Sequence, residues 1–227
     1  MISHKYKCIF LHVPKTAGTS INNFYINEQL SHKEANYYYL YGWCPKRKLH
    51  MQHATVKQLL ETELISQEEW VNYYKFCFVR NPWDRAFSDY YWMMNDRKIK
   101  DSFKNYINKQ GKFSKVLNDN TNINYRGDHL ISQTSFLDTH GAAPLNFIGR
   151  FENFETDILK VNKELRIDKK FDIHLNKGKV KKHYSKFYNS AKKNMVEEKY
   201  NEDIINFGYQ YEDKKNSIEK FFAAFGS

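Results

Sequence analysis

Lys75-Phe76-Cys77-Phe78-Val79 runs straight into Arg80-Asn81-Pro82-Trp83-Asp84-Arg85-Ala86-Phe87-Ser88, and this junction decides the fold. Four consecutive apolar residues, Phe76 to Val79, read as a strand buried on both faces. Asn81-Pro82 then turns the chain. Pro82 suits the first position of a helix, where its missing N–H would have no partner anyway, and Trp83 to Met94 has an amphipathic composition. The same arrangement occurs earlier. Tyr6 to Leu11 is a short β-rich run, His12 to Ser20 a loop, and Ile21, Phe24 and Tyr25 follow at helical spacing. Between the two units lie helical stretches at Thr55 to Glu61 and at Ser66 to Tyr73, the second with a Ser66/Glu69 capping box. Two strand, loop and helix units joined through helices imply crossover connections and a parallel sheet, so the fold class is α/β.

Downstream, helices are expected over Asp101 to Lys109, Asn153 to Leu165 and Ser190 to Tyr200, and a third buried strand over Leu145 to Ile148. Asn118 to Gly127 and the lysine-rich Lys177 to Lys186 read as loops. Ile218, Phe221, Phe222 and Phe225 share one face of a helix expected over Asn216 to Phe225, suited to docking or self-association. The Tyr37-Tyr38-Tyr39 and Tyr90-Tyr91-Trp92 clusters read as core and cleft wall. The whole chain of 227 residues is read as one domain, long enough for a core that needs no staple. Aromatics make up 17% of it, and the mean hydropathy of −0.78 describes a strongly polar exterior. Cys8, Cys44 and Cys77 are odd in number and scattered, which together with the lack of a signal-peptide core points to a reducing, cytoplasmic setting. No apolar run reaches the roughly 20 residues that span a bilayer. Thirty-six Lys and Arg against 26 Asp and Glu give a net charge of +10 and favour anionic partners.

Two segments carry chemistry. Pro14-Lys15-Thr16-Ala17-Gly18-Thr19-Ser20 has the parts of an anion cradle: a glycine that admits close approach, a following helix N-terminus, a lysine and two hydroxyls. Lys15 precedes Gly18, whereas in a Walker A loop the lysine follows the last glycine, so a triphosphate-using kinase fits poorly. In the second unit Arg80 sits at a strand's carboxyl end, where open α/β sheets bind ligands, and Ser88 lies on the next helix; a phosphate fits between them. Arg80 and Arg85 could instead form salt bridges with Asp84 or Asp89.

Taken together, His12 to Ser20 and Arg80 to Ser88 resemble the two phosphate motifs of sulfotransferases that use 3′-phosphoadenosine 5′-phosphosulfate, in the branch of carbohydrate sulfotransferases and their soluble bacterial relatives. Further matches at Gln133, Phe147 to Phe154, Leu175-Asn176-Lys177, Tyr200, Asp203-Ile204 and Phe207-Gly208-Tyr209 extend the resemblance over about residues 5–212. It implies a P-loop-like three-layer sandwich, a central parallel sheet flanked by helices, with residues 213–227 as a helical extension. It also implies that Lys15, Thr16, Ala17, Gly18, Thr19 and Ser20 hold the 5′-phosphosulfate and Arg80 and Ser88 the 3′-phosphate, with Lys177 or Lys179 closing over the nucleotide. The product is then adenosine 3′,5′-bisphosphate, and no metal is required.

In the resembling family the base lies between the two motifs, where this chain has Leu49-His50-Met51-Gln52-His53-Ala54-Thr55. His53, just before a helix start, is the expected general base, with His50 as the alternative, and Lys15 is expected to meet charge on the leaving phosphate. His12 is read as a structural residue that hydrogen-bonds the loop. Asp128, His129, Gln133 and Arg150 are candidate acceptor contacts, although capping, hydration or, for Arg150, a salt bridge with Glu152 or Asp157 would also account for them. The acceptor is expected to be a hydroxyl on a saccharide or glycoconjugate, recognised by Glu28 to Arg47 and Met94 to Gly127. Nucleic acid is not the expected partner, but lysines interleaved with tyrosines keep a nucleic-acid or anionic-surface binding protein as the alternative.

Overall fold

The structure, a computed structural model, describes residues 1–26, 28–171 and 183–216. Lys177, Lys179 and the expected C-terminal helix beyond residue 216 lie outside them. The elements run β1 (Ile2–Ser3), β2 (Cys8–Leu11), α1 (Gly18–Tyr25), β3 (Trp43–Cys44), β4 (Leu49–His50), α2 (Val56–Glu61), α3 (Gln67–Asn72), β5 (Tyr74–Val79), α4 (Pro82–Asp96), α5 (Phe103–Ile107), α6 (Ser114–Asn118), α7 (Gln133–Leu137), β6 (Phe147–Arg150), α8 (Phe154–Glu164), α9 (Ser190–Lys199) and α10 (Asn201–Asn206).

The main sheet has the order β1-β2-β5-β6. β2 pairs in parallel with β5, Leu11 opposite Cys77, and β5 in parallel with β6, Val79 opposite Arg150. β1 adds an antiparallel edge strand, paired with β2, to the expected parallel sheet. Only residues 4–7 join the two strands, too few for a crossover, so the chain must return as a hairpin.

The buried runs of β2 and β5 send alternate residues to opposite faces. Ile9, Leu11, Cys77 and Val79 pack with Leu59 of α2, Trp70 of α3 and Phe136 of α7, while Cys8, Phe10, Phe76 and Phe78 pack with Ile21 and Phe24 of α1 and Phe154 and Ile158 of α8. Helices thus cover both faces, making the expected α/β sandwich. All three cysteines are buried and free.

A third cluster, with Trp83, Phe87, Tyr90, Phe103, Tyr106, Phe113, Tyr188 and Tyr200, joins α4 to α5 and α9 and absorbs much of the aromatic content. Tyr37 and Tyr38, expected as core or cleft wall, are 52% and 60% exposed.

Local signals set the ends of the helices near the site. Thr55 and Ser66 each close a capping box, with Gln58 and Glu69. Pro82 opens α4, and the Asn81 side chain accepts from the N–H of Trp83. The third strand starts two residues later than the apolar run suggested. The Asn146 side chain accepts from the Lys75 N–H, and its own N–H donates to the Lys75 carbonyl, so ladder pairing begins only at Phe147. As an edge strand β6 leaves Ile148 47% exposed rather than buried.

Candidate active site

The loops that leave β2 and β5 open one cleft at the carboxyl ends of the parallel strands, with a cavity of about 340 Å³. Its walls include Lys15, Ala17, Gly18, Thr19 and Ser20 from the first loop, Arg80 and Ser88 from the second unit, and His53 and His129. Lys15, Arg80, Arg97 and Arg126 supply four cations to the walls, and among the described residues no carboxylate joins them.

The first loop holds its shape through the backbone. Lys15 and Ala17 have φ of 71° and 69°, and successive turns of this kind point N–H groups into a concavity. Thr16 is fully buried and its hydroxyl donates to the Val13 carbonyl at 2.8 Å, so its side chain braces the loop and does not face the cleft. Gly18 is required by a neighbour: a Cβ there would stand 1.7 Å from Nε2 of His12. The His12 ring also stacks on Phe10, and its buried Nδ1 has no partner, so packing rather than a loop hydrogen bond explains the residue. α1 begins at Gly18 with no side-chain cap and no acidic residue in its first turn, which leaves its positive end to the cleft. Lys15 lies over the Trp92 ring at 5.2 Å. Burial lowers its pKa; Asp89 opposes this, Arg80 adds to it, and Asp96 opposes it.

The second loop is held by side chains. Arg80 donates from Nε to Asp84 at 2.9 Å and from Nη1 to the Lys15 carbonyl at 2.9 Å, and its guanidinium lies 4.1 Å from the Phe151 ring centroid. The alternative salt bridge with Asp84 is therefore present, and the same guanidinium ties the two loops together. Gln133, a candidate acceptor contact, is fully buried; it accepts from the Arg80 N–H and donates to the Arg80 carbonyl. Asp203 accepts from the N–H groups of Gln133 and Thr134, and Glu152 from that of Asn81. Arg85 bonds the carbonyls of His129 and Ile131, not Asp84 or Asp89. Arg150 is also turned away from the cleft, its guanidinium on the Phe207 carbonyl and over Tyr209, with only its backbone N–H on Asp157.

His53 ends a 3₁₀ turn, Met51–His53. Its Nδ1 lies 3.1 Å from the His12 carbonyl, an acceptor only, so Nδ1 carries the proton and Nε2 keeps its lone pair. Burial, with His12 and His129 adding to it, holds the His53 pKa well below the usual imidazole value. His129 stacks on Trp92, and its Nδ1 meets Asp89 at 2.6 Å. Asp89 also accepts from the Tyr106 hydroxyl at 2.7 Å. Burial works against the Asp89 charge, but His129, Lys15 and Tyr106 outweigh it and hold the carboxyl below the usual range. Asp128 is buried beside this pair and does not line the cavity; burial raises its pKa to about 6, and Oδ2 has no partner. His53, Asp128 and His129 each offer one ligand atom within 4.8 Å of the others, a spacing that could hold a metal ion, although the four wall cations oppose a further positive charge.

Trp92, read from the sequence as core or cleft wall, lines the cavity, whereas sequence reasoning gave no site role to Asp89, Arg97 or Arg126 and missed the gathering of five imidazoles, His12, His32, His50, His53 and His129, around it. For Asp89 a signal existed: with Arg85 and Trp92 it recurs at i, i+4 and i+7, one face of α4.

Residues 1–210 match the family model described as "Sulfotransferase family". An uncharacterized protein of Archaeoglobus fulgidus is 31% identical over 105 residues, 46% of this chain and 77% of its own length. No solved structure matches significantly.

Proposed function

The chain belongs to the sulfotransferase family, whose members transfer sulfuryl groups, and from that premise we propose that its donor is 3′-phosphoadenosine 5′-phosphosulfate and its acceptor a hydroxyl on a saccharide or glycoconjugate. The observation that carries this reading is the cleft wall, with four cations, an uncapped helix start and, among the described residues, no carboxylate. Such a lining fits a ligand with anionic groups at both ends. Lys15, Gly18, Thr19 and Ser20 would hold the 5′-phosphosulfate, and Arg80 and Ser88 the 3′-phosphate. The donor supplies the sulfuryl group and leaves as adenosine 3′,5′-bisphosphate.

The protein's own task is to align an in-line displacement, neutralise charge on the leaving side and take the acceptor's proton. Lys15 has no ion pair among the described residues, so its charge is free to meet developing negative charge. His53 is fixed as the Nδ1–H tautomer by the His12 carbonyl, which leaves Nε2 as the acceptor for the hydroxyl proton. Its depressed pKa keeps it neutral, and therefore able to accept, throughout the neutral range.

The test is transfer of ³⁵S from labelled donor to a glycan pool by wild type and His53→Ala. The variant is expected to bind adenosine 3′,5′-bisphosphate as wild type does and to lose on the order of 10²-fold or more in turnover. Wild-type turnover in the variant would remove His53 from the mechanism, and no transfer by wild type from this donor would overturn the donor assignment.

A further inference from the structure

The reaction proposed above gives Asp128 nothing to do. It is 7% exposed and does not line the cavity. Oδ1 accepts from the His129 N–H at 3.2 Å, while Oδ2 is buried with no partner among the described residues. A carboxylate oxygen held out of water and unpaired is costly unless a proton or a cation completes it. The 3₁₀ turn that carries it, Gly127–Leu130, is tightly seated: a Cβ on Gly127 would stand 2.3 Å from the Leu117 carbonyl oxygen, and the Arg126 N–H donates to the Val116 carbonyl at 2.7 Å.

Two imidazoles converge on the same carboxylate. His53, Asp128 and His129 each bring one ligand atom to within 4.8 Å of the other two. The His53 Nδ1 is taken by the His12 carbonyl and the His129 Nδ1 by Asp89 at 2.6 Å, so in each ring Nε2 is the nitrogen with a lone pair to give. Metal-binding imidazoles are held in this way, the second nitrogen on a carbonyl or a carboxylate, and here both partners are already in place. Asp89 is braced in turn by the Tyr106 hydroxyl at 2.7 Å. Asp128 and Asp89 set two negative charges against the two positive charges of a divalent ion, which offsets repulsion from the wall cations.

We propose that His53, Asp128 and His129 bind a divalent ion of the zinc class, with the His12 carbonyl and Asp89 as supporting partners. Two nitrogens and one carboxylate suit zinc and its neighbours, whereas magnesium and calcium take oxygen ligands. His53 and His129 line the cleft, so the remaining coordination position faces it. Occupancy has a consequence that rests on the reading of His53 as the base: the Nε2 lone pair that takes the hydroxyl proton is the one that binds the ion. The zinc-loaded chain therefore does not transfer, and the site acts as a brake.

The test is calorimetric titration of the chelator-stripped full chain with Zn²⁺, Mg²⁺ serving as control, followed by ³⁵S transfer with and without Zn²⁺. Wild type is expected to bind one Zn²⁺ saturably at this site and Mg²⁺ far more weakly. Asp89→Asn should weaken Zn²⁺ binding roughly 10- to 100-fold, as loss of a supporting partner does, and Asp128→Asn by more than that. His32→Ala removes another imidazole of the same cavity and should leave Zn²⁺ affinity unchanged. Zn²⁺ should stop transfer by wild type, a chelator should restore it, and Asp128→Asn should resist the inhibition. No saturable binding by folded wild type, or full affinity in folded Asp128→Asn, would overturn the site. The titration needs no donor, so it reads the site even if the donor assignment fails. Undiminished transfer by the zinc-loaded wild type, with binding still dependent on Asp128, would instead overturn the brake and the reading of His53 as the base.

Discussion

After β2 the chain turns by backbone conformation: Lys15 and Ala17 take positive φ, Thr16 folds its hydroxyl back onto Val13, and Gly18 gives way to the His12 ring. After β5 it turns by side-chain bonding: Asn81 caps α4, Glu152 holds the Asn81 N–H, Gln133 pairs both backbone groups of Arg80, and Arg80 itself grips Asp84 and the Lys15 carbonyl. The consequence lies in the charges. Among the described residues Lys15 forms no ion pair, and it is partly desolvated, so its charge contributes little to folding and is available to a ligand. Arg80 serves two ends at once, because the guanidinium that lines the cleft also joins the loops. A loop shaped by its backbone can give its cation to chemistry, whereas one shaped by side chains has to share it.

The largest effect that would sharpen the contrast is at Lys15. Lys15→Ala is expected to lower turnover by roughly 10²- to 10³-fold, as removal of a charge-stabilising donor does, with Tm unchanged or raised because a desolvated cation with no ion pair among the described residues has gone. A clear fall in Tm would break the contrast. Arg80→Ala should do both things. Nucleotide affinity should weaken by about 1.5–3 kcal/mol, and Tm should fall on the order of 5 °C with the loss of the strut, both readable by calorimetry and thermal melts. An undiminished Tm would mean that Arg80 is a ligand only.

A smaller, distributed effect is set by pH. His12 and His53 have pKa values held well below the usual imidazole value and His50 is lowered to about 4, each mainly by burial, while burial raises Asp128 to about 6. The imidazoles are neutral when folded and protonated when unfolded below pH 6.5, so their share of stability is present above that pH and lost on acidification. Asp128 acts in the opposite sense, since its carboxyl is protonated when folded and ionised when unfolded between pH 3.8 and about 6. Unfolding near pH 5 should therefore take up about two protons net at these four groups, with the Met1 amine, lowered to about 5 by burial, adding to the uptake, measurable as the slope of stability against pH. A flat profile there would contradict the buried, neutral cluster. The smallest single-residue effect is Asp128→Asn, which should raise Tm relative to wild type above pH 6 and lose that advantage toward pH 4.

Much of this was legible because it is local. Pro82 at the first position of α4, the Ser66/Glu69 box and the apolar runs of β2 and β5 act over a few residues, and composition encodes them directly. The antiparallel β1 and the β3–β4 hairpin, two residues per strand, carry no periodic signal. At the site, residue types pointed to two loops that meet at one cleft but not to the division of labour. Gln133 and Arg150 were readable as polar residues near motifs, yet only the tertiary fold turns one onto the Arg80 backbone and the other onto the Phe207 carbonyl. Likewise Glu152, Asp203 and Tyr209 help carry the resemblance, and the structure uses all three as props: Asp203 beneath Gln133, Glu152 beneath Asn81, and Tyr209 donating to Glu152. The five imidazoles come from segments as distant as His12 and His129, and no sequence spacing announces that they meet.

The central claim is that this cleft is a site for a doubly anionic nucleotide donor. The most direct measurement is calorimetric titration of the full chain with adenosine 3′,5′-bisphosphate at two salt concentrations, with AMP and ATP as controls. The expected result is one-to-one binding selective for the 3′-phosphorylated nucleotide, weakened in both Lys15→Ala and Arg80→Ala. Equal affinity for AMP, or no binding by a folded wild-type chain, would contradict it.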